Sequence, residues 1–397
     1  MPKPRDWLNR SVLGIAIASF CSDIGHEMAT AAFPVLLAGF GASSTILGFI
    51  EGFADLLASF AKLLSGHYSD RLVRRKPLAV AGYFLTAAGI GSFSLATQWT
   101  HLLFGRAIAW LGRGARTPVR NVLMTEATEP GTRGRAFGFE RAMDTAGAVL
   151  GPILAILLIH RIGIRSLLAL TLVPGFLAAL CIWVLVEERP HPASSRPSLF
   201  SGLGSLSPSY KKFLFAVGIA GAGDYSKTLL ILWATEAWSP GLGPTEAARQ
   251  AMMCYVAFNV LAMVTSSFSG YAADRFSPHR VLTFGYGFAV LPALVLLLPA
   301  DATLRFLSAF LLSGIFMGIW ETVESAAAAE LLAQEERGIG FGALATVNGL
   351  ADFVSSVLVG TLWTVSPQVA MSMVIVCSVV GAALVWRSTS DALPHKA

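Results

Sequence analysis

Residues 66–77 read GHYSDRLVRRKP, and residues 270–280 read GYAADRFSPHR. At a spacing of 204 residues the two stretches share a glycine, an aspartate and an arginine: Gly66, Asp70 and Arg71 in the first, and Gly270, Asp274 and Arg275 in the second. The same spacing brings RGRAFG at 133–138 onto RGIGFG at 337–342. Two multi-residue matches at one ungapped spacing indicate an internal duplication, so that each half of the chain builds one copy of a repeated unit.

The composition is typical of a membrane protein. Of the 397 residues, 54% are hydrophobic and only 13% are charged, whereas soluble domains have ~25% charged residues. The net charge of +5 comes from basic residues dispersed among short loops, so we expect no nucleic-acid partner. The four cysteines lie in different apolar segments and give no support to a disulfide framework or a metal site.

Apolar runs follow one another along the whole chain. A membrane-spanning helix needs ~20 mostly apolar residues, and backbone in hydrocarbon must form its hydrogen bonds within its own segment. The sequence therefore predicts an all-α polytopic membrane protein with twelve transmembrane helices. The predicted spans, numbered 1 to 12, lie near residues 11–38, 44–68, 77–97, 101–123, 135–159, 165–186, 212–238, 247–271, 279–299, 303–328, 338–363 and 367–387.

The basic residues predict the orientation of these spans. An even number of spans puts both termini on one side of the membrane. If that side is the cytoplasm, the cytoplasmic tails and loops carry 18 Lys and Arg residues and the opposite loops carry four. Because cytoplasmic loops are enriched in Lys and Arg, we expect both termini in the cytoplasm and the protein in the plasma (inner) membrane.

A stretch rich in Pro, Ser and Gly joins the first six spans to the last six. This composition is typical of a flexible linker. The predicted organisation is an N-terminal six-helix bundle at 1–186, a cytoplasmic linker at 187–211 and a C-terminal six-helix bundle at 212–397.

The loop at 66–77 closely resembles the signature loop of the major facilitator superfamily, a glycine followed by Asp-Arg and a basic run, with Val73 where the family usually has glycine. Gly147, Gly151 and Pro152 in span 5 resemble the antiporter-associated motif of that family, although its closing glycine pair is replaced by Leu154 and Ala155. The resemblance implies two pseudo-symmetric six-helix bundles around a central cavity lined by spans 1, 4, 7 and 10. It also implies transport by alternating access.

The signature loop has features that a positive-inside bias alone does not explain. Gly66 permits close approach of two helices, and Asp70 at a helix end can bind backbone groups of a neighbouring segment. A cluster of this kind can form and break as one side of the protein closes and opens, so we interpret it as a gate. The predicted gating residues are Gly66, Asp70, Arg71, Arg74, Arg75, Asp274 and Arg275.

Charged residues occupy the interiors of spans 1, 2, 4, 5, 7, 10 and 11, whereas spans 3, 6, 9 and 12 carry them only near their ends. A charge at the bilayer centre costs ~2.5–3.5 kcal/mol on insertion scales, so these side chains are expected to face protein or water. A buried carboxyl group can bind a proton when it is dry and release it when a cation approaches. We therefore predict Asp23, Glu27 and Asp55 as proton-coupling residues, with a static charge network as the alternative.

Other polar side chains in the same spans are predicted to line the substrate cavity. Arg113 is the expected partner of the coupling carboxylates or an anchor for an anionic solute. The predicted cavity residues are His26, Arg113, Arg116, Asp144, Lys227 and Trp320.

These features predict a secondary active transporter that moves a small organic solute, with the proton gradient as its energy source and no cofactor. The span 5 motif favours proton-coupled export (antiport). Proton-coupled symport of an anionic organic solute and lipid flipping on the same fold are alternatives, and a non-transporting receptor is a distant one. No nucleophile or metal constellation indicates an enzyme. The expected partners are the solute and the lipid bilayer, and the protein is expected to be a monomer.

Overall fold

The protein is described from a computed structural model, which covers residues 7–40, 44–188, 199–225 and 227–390. Within these ranges the chain is almost entirely helical, with short 3₁₀ turns at Ser92–Leu95 and Gln334–Glu336. The α-helices are α1 (Arg10–Gly39), α2 (Ser44–Arg71), α3 (Lys76–Gly91), α4 (Trp99–Glu126), α5 (Arg133–Leu170), α6 (Leu172–Leu185), α7 (Leu199–Ser205), α8 (Pro208–Gly221), α9 (Lys227–Leu242), α10 (Pro244–Phe276), α11 (Pro278–Phe288), α12 (Val290–Leu297), α13 (Ala302–Leu331), α14 (Arg337–Val365) and α15 (Pro367–Ser390).

Every predicted span coincides with a helix or with two consecutive helices, which confirms the predicted fold class. Span 7 consists of α8 and α9, and span 9 consists of α11 and α12. Spans 5 and 6 are separated at Gly163, whose φ of 77° lies in the left-handed region that glycine adopts without strain. Within the described ranges, eight helical segments are long and apolar enough to cross a membrane.

Local sequence signals set several helix starts. Proline occupies the first turn of α3, α8, α10 and α11, where its missing N–H removes no helical hydrogen bond. The Ser207 side chain accepts a hydrogen bond from the backbone N–H of Tyr210 at 3.1 Å and caps α8. Asp301 caps α13 in the same way, accepting from the N–H of Thr303 at 2.8 Å. These caps satisfy donors that would otherwise lack partners at the helix starts.

The chain divides into two compact units. The first unit comprises Met1–Leu206 and Leu332–Thr346, and the second comprises Ser207–Leu331 and Val347–Ala397. The start of α14 thus groups with the first unit, whereas the predicted division assigned all of 212–397 to the second half. The short helix α7 lies within the predicted linker, and 189–198 of that linker fall outside the described residues.

Each unit has its own packing scheme and its own apolar core. In the first unit α1 packs against α5 and α6, and α4 packs against α2 and α3. In the second unit α10 packs against α9 and α13, and α15 packs against α8 and α11. The second core includes Trp233 and Trp363, whose rings stack 3.8 Å apart. Large apolar side chains such as Phe104 and Phe268 remain exposed on the helices, as expected for surfaces that contact lipid.

The duplication seen in the sequence is repeated in the helix contacts. A Cβ on Gly114 would lie 2.5 Å from the carbonyl oxygen of Ala58, and a Cβ on Gly318 would lie 2.5 Å from that of Ala262. Both residues of the second pair are 204 positions after those of the first. Each unit therefore brings span 4 or span 10 onto its neighbour at an equivalent glycine, where only a missing side chain allows the approach.

A polar contact is duplicated as well. Arg75 pairs with Glu126 in the first unit, and His279 Nε2 lies 3.4 Å from Glu330 Oε2 in the second. These positions are again 204 residues apart. The two units thus place different basic side chains, an arginine and a histidine, beside a glutamate at equivalent positions.

Candidate transport site

The last turn of α2 contacts the start of α14. The carboxylate of Asp70 accepts hydrogen bonds from the backbone N–H groups of Gly338 and Ile339, each at 2.8 Å. These N–H groups have no partner within α14, and the helix dipole favours a negative charge there. The fully buried Arg75 lies beside Asp70, with Nη2 3.4 Å from Oδ1, and its Nη1 pairs with Glu126. Asp70 therefore caps α14, and Arg75 stabilises its charge.

The other predicted gating residues contribute differently. Gly66 lies against the same helix, because a Cβ at this position would come within 3.0 Å of Gly342 Cα. The remaining members are at or near the surface: Arg71 and Asp274 are half-buried, and Arg74 and Arg275 are exposed. Gly66 and Asp70 contact the start of α14, and Arg75 lies beside Asp70. The gating role itself stays a prediction.

Asp23 on α1 is a buried carboxylate with few partners. It is 4% exposed, and its Oδ1 has no hydrogen-bond donor among the described residues. The cation in its ion pair is Arg113 of α4, whose Nη2 lies 3.9 Å from Oδ1. A separation of 3.9 Å is too long for a hydrogen bond, so Arg113 attracts the carboxylate electrostatically without fixing its position. Asp23 is therefore a buried acid that is not locked in one protonation state by its contacts.

The other acids near it are held more firmly. On α5, Glu140 accepts a hydrogen bond from Ser19 at 2.6 Å and pairs with Arg120 Nη1 at 2.7 Å. Asp144 pairs with Arg141 at 2.6 Å on the same helix. Short charge-assisted contacts of this kind stabilise the ionised carboxylate. The static network weighed above thus describes the α5 acids better than it describes Asp23.

The span 5 glycines bring α5 against the coupling residues of α1. A Cβ on Gly147 would lie 3.1 Å from Asp23 Cβ, and a Cβ on Gly151 would lie 2.8 Å from Glu27 Cβ. Pro152 follows directly and lies inside α5. Because each glycine faces one of the two acids, substitution of either would push α1 away. The antiporter-like motif therefore positions Asp23 and Glu27.

His26 and Asp55 both contact Trp110, and Glu27 lies beside His26. His26 Nε2 is 3.8 Å from Glu27 Oε1, and its ring centre is 4.9 Å from that of Trp110. Trp110 Nε1 donates a hydrogen bond of 2.7 Å to Asp55 Oδ1. Asp55 is exposed, in contrast to the buried Asp23. The three predicted coupling acids are thus in three environments, and only Asp23 is both buried and loosely paired.

Arg116 is a buried cation that forms no ion pair with a carboxylate among the described residues. It is 3% exposed, its guanidinium lies 4.1 Å above the Tyr83 ring, and its Nε and Nη1 find no acceptor among the described residues. Buried donors normally have partners, so these N–H groups are available to an anion or to water. Arg113, one turn earlier on α4, is about one-third exposed and can reach the same solute.

The second unit contains a cavity of its own. We call it the aromatic cavity, and its wall includes Tyr225, Lys227, Phe258, Tyr286, Phe316 and Trp320. It opens beside the non-helical segment between α8 and α9, where Asp224 also lines it. Lys227 Nζ lies 5.8 Å from the centre of the Phe258 ring, within the range of a cation–π contact. The predicted cavity residues Lys227 and Trp320 therefore share one cavity, while the other four lie in the first unit.

Sequence reasoning missed the polar cluster behind this cavity. Glu324 of α13 is 4% exposed and accepts hydrogen bonds from Tyr286 Oη at 2.8 Å, Trp320 Nε1 at 2.6 Å and Asn348 Nδ2 at 2.5 Å. Two signals in the sequence point to it. Trp320 and Glu324 share a helix face, and at the spacing of 204 residues Asn348 matches Asp144.

These features define a polytopic α-helical membrane protein with buried ionisable groups and a cavity, the general plan of a secondary transporter. The family model of the Major Facilitator Superfamily matches residues 15–356 and 213–396. The chain belongs to this superfamily of transporters, and this confirms the resemblance found in the sequence.

Individual relatives give the same result. An uncharacterised MFS-type transporter of Methanocaldococcus jannaschii is 27% identical over 374 residues, covering 91% of this chain and 90% of that one. The multidrug resistance protein MdtH of Aeromonas salmonicida is 30% identical over 167 residues, covering 42% and 41% of the two chains. The solved fucose:proton symporter FucP of E. coli aligns over 97% of this chain and 99% of that one, with a TM-score of 0.79 and 17% identity. The last similarity shows the fold.

Proposed function

We propose that this transporter exports a small organic anion or zwitterion in exchange for protons. The observation that carries the proposal is the state of Asp23, a buried carboxyl whose Oδ1 lacks a hydrogen-bond donor and whose cation, Arg113, stands off at 3.9 Å. Such a group binds a proton when Arg113 turns toward solute and releases it when Arg113 returns. No cofactor is needed, since the proton gradient supplies the energy.

The solute's charge is inferred from the cations of α4. Arg116 is buried with N–H groups that have no acceptor among the described residues, and Arg113 is partly exposed. An anionic group bound by these arginines would compete with Asp23 for Arg113. Solute binding at Arg113 then favours a protonated Asp23, which by itself is the linkage of symport. Exchange requires that a second group of the solute, such as the ammonium of a zwitterion, displace the proton from Asp23.

Export rather than uptake is supported by two observations. Gly147 and Gly151 of the antiporter-like motif pack directly on the α1 face that carries Asp23 and Glu27. A relative over part of the chain is the multidrug resistance protein MdtH. The distribution of Lys and Arg supports a cytoplasmic position of both termini, and we propose a monomer in the plasma (inner) membrane.

Proteoliposomes with an imposed pH gradient test this function. The probes are p-aminobenzoate as an anion, tryptophan as a zwitterion and ethidium as a cation. We expect the anion or the zwitterion to accumulate in vesicles with an acidic interior, because outward proton flow would drive inward solute flow. Accumulation only with an acidic exterior would establish symport instead. Transport of ethidium alone, or flux that ignores the gradient, would contradict the proposal.

A further inference from the structure

The cluster around Glu324 differs from the buried, ion-paired acids Asp70, Glu140 and Asp144 of the first unit, because neutral donors surround it. Its three hydrogen bonds come from a phenol, an indole and an amide, on α11, α13 and α14. Among the described residues, no Lys, Arg or His forms an ion pair with it. We propose that Glu324 is a second proton-binding site and that its protonation is transmitted to the wall of the aromatic cavity.

The chemistry of the three partners permits both protonation states. When Glu324 is ionised, it accepts all three hydrogen bonds, as observed. When it is protonated, it must donate one hydrogen bond, and two partners can accept it: the Tyr286 hydroxyl by rotating its hydrogen, and the Asn348 amide by turning its oxygen inward. The Trp320 indole can only donate, and it continues to donate its hydrogen bond to the carboxyl oxygen that does not carry the proton. A buried carboxyl can thus gain or lose a proton here without leaving a polar group unpaired.

The charged groups near Glu324 do not hold this carboxyl in its ionised form. Titratable groups that interact electrostatically with Glu324 include Asp352 of α14 and Tyr210 of α8, and Asp224, between α8 and α9, interacts with Tyr286. Lys227, which lines the aromatic cavity, forms no ion pair with Glu324 among the described residues. The contrast is with Glu140, which has Arg120 at 2.7 Å.

Protonation of Glu324 reaches the aromatic cavity through two side chains. Tyr286 and Trp320 each donate a hydrogen bond to the same atom, Glu324 Oε2, and both line the cavity. A proton on Oε2 leaves room for fewer donors, so Tyr286 must reverse its hydrogen bond or Trp320 must release. Either change alters the polar groups that the cavity wall offers to a solute. Cavity occupancy and proton binding at Glu324 are therefore coupled, and this coupling is reciprocal.

This site extends the proposed proton coupling to the second unit, but its protonation can be measured without transport. The experiment is infrared difference spectroscopy on the purified full-length protein, with the buffer switched between alkaline and acidic pH in the absence of solute and gradient. We expect the carbonyl band of a buried protonated carboxyl in the wild-type protein. Glu324→Gln should remove this band, whereas Glu246→Gln, at an exposed residue, should retain it.

The link to the cavity has its own test in the same experiment. Tyr286→Phe should shift the carbonyl band, because one hydrogen-bond partner of the carboxyl is lost. Tyr271→Phe is the matched control, since Tyr271 is an exposed tyrosine, and it should leave the band in place. If Glu324→Gln does not fold to a monodisperse protein, the Tyr286→Phe shift alone still identifies the band.

Two results would overturn the inference. An unchanged difference spectrum in Glu324→Gln would show that Glu324 keeps one protonation state over the whole pH range. A Glu324 band that Tyr286→Phe leaves unmoved would show that protonation does not reach the cavity wall. Neither result bears on Asp23, whose role is tested by gradient-driven transport, so failure of the two proposals can be told apart.

Discussion

The two units share contacts where helices meet and differ where polar groups are buried. Both bring a span 4 or span 10 glycine against a backbone carbonyl, and both place a basic side chain beside a glutamate, Arg75 with Glu126 and His279 with Glu330. At a spacing of 204 residues, however, three polar positions of the first unit are replaced: Arg116, Arg120 and Asp144 become Trp320, Glu324 and Asn348. The two units therefore share their helix contacts although the charges at these three positions differ.

This difference teaches how one fold can hold two kinds of ionisable site. In the first unit arginines compensate the acids, and an acid such as Asp23 responds to the position of a cation. In the second unit neutral donors satisfy Glu324, which can be protonated without a cation moving away. Considered separately, the first interior suits an anionic group, and the aromatic cavity of the second unit suits an apolar one.

The largest expected effect comes from giving the first unit an unpaired acid. Arg120→Met removes the cation at 2.7 Å from Glu140, which is 3% exposed. A buried charge without its partner costs about 3–5 kcal/mol of unfolding free energy. Thermal unfolding of the purified protein in detergent should show a large loss of stability.

A second variant distinguishes the loss of the charge pair from a packing defect. Arg120→Met with Glu140→Leu removes both members of the charge pair, and a leucine, Leu344, already occupies the position 204 residues after Glu140. We expect this double variant to recover most of the stability, because no uncompensated charge remains. A double variant as unstable as Arg120→Met would contradict this explanation.

The shared scaffold is tested by adding a methyl group at each duplicated glycine. Gly114→Ala and Gly318→Ala both force a Cβ to 2.5 Å from a backbone carbonyl oxygen, so each should lower stability by about 1–3 kcal/mol. Gly204→Ala is the control, since nothing lies within 4 Å of its Cβ position. Unfolding in detergent measures all three. If only one of the two glycine variants lost stability, the two units would not share an equivalent helix contact.

The smallest expected effect concerns the cap on α14. Asp70→Asn keeps one acceptor but loses the negative charge that faces the first turn, which is worth about 0.5–2 kcal/mol at a helix N-terminus. Amide hydrogen exchange at Gly338 and Ile339 should become faster. Asp274→Asn, the equivalent change in the second unit, should leave exchange at these two residues unchanged. If both variants accelerated amide exchange at Gly338 and Ile339 equally, the faster exchange would reflect general destabilisation of the protein and not loss of the cap.

Much of this fold follows from the sequence. Apolar length and periodicity locate every span, because a helix that crosses a membrane has few alternatives. The duplication also follows, since Gly66, Asp70 and Arg71 recur with their spacing intact. The breaks within spans 7 and 9 do not follow, because the runs 212–238 and 279–299 are as apolar as the unbroken ones.

The candidate sites are predicted less completely. Charge at membrane depth identifies Asp23, Arg113 and Arg116, because burial of a charge requires a reason. It does not reveal that Arg116 stacks on Tyr83, or that Asp55 meets Trp110. The Glu324 cluster was missed because its partners include Tyr286, 38 residues away, and Asn348, 24 residues away in the other direction. Such contacts depend on how the helices pack, which one sequence does not give.

The most direct measurement compares two kinds of transport by Asp23→Asn in proteoliposomes, using whichever of p-aminobenzoate and tryptophan the wild-type protein accumulates. One assay follows accumulation against a pH gradient, and the other follows exchange of labelled for unlabelled solute at equal pH on both sides. If Asp23 carries the coupled proton, the variant loses accumulation but retains exchange. Wild-type accumulation by Asp23→Asn would contradict the coupling mechanism.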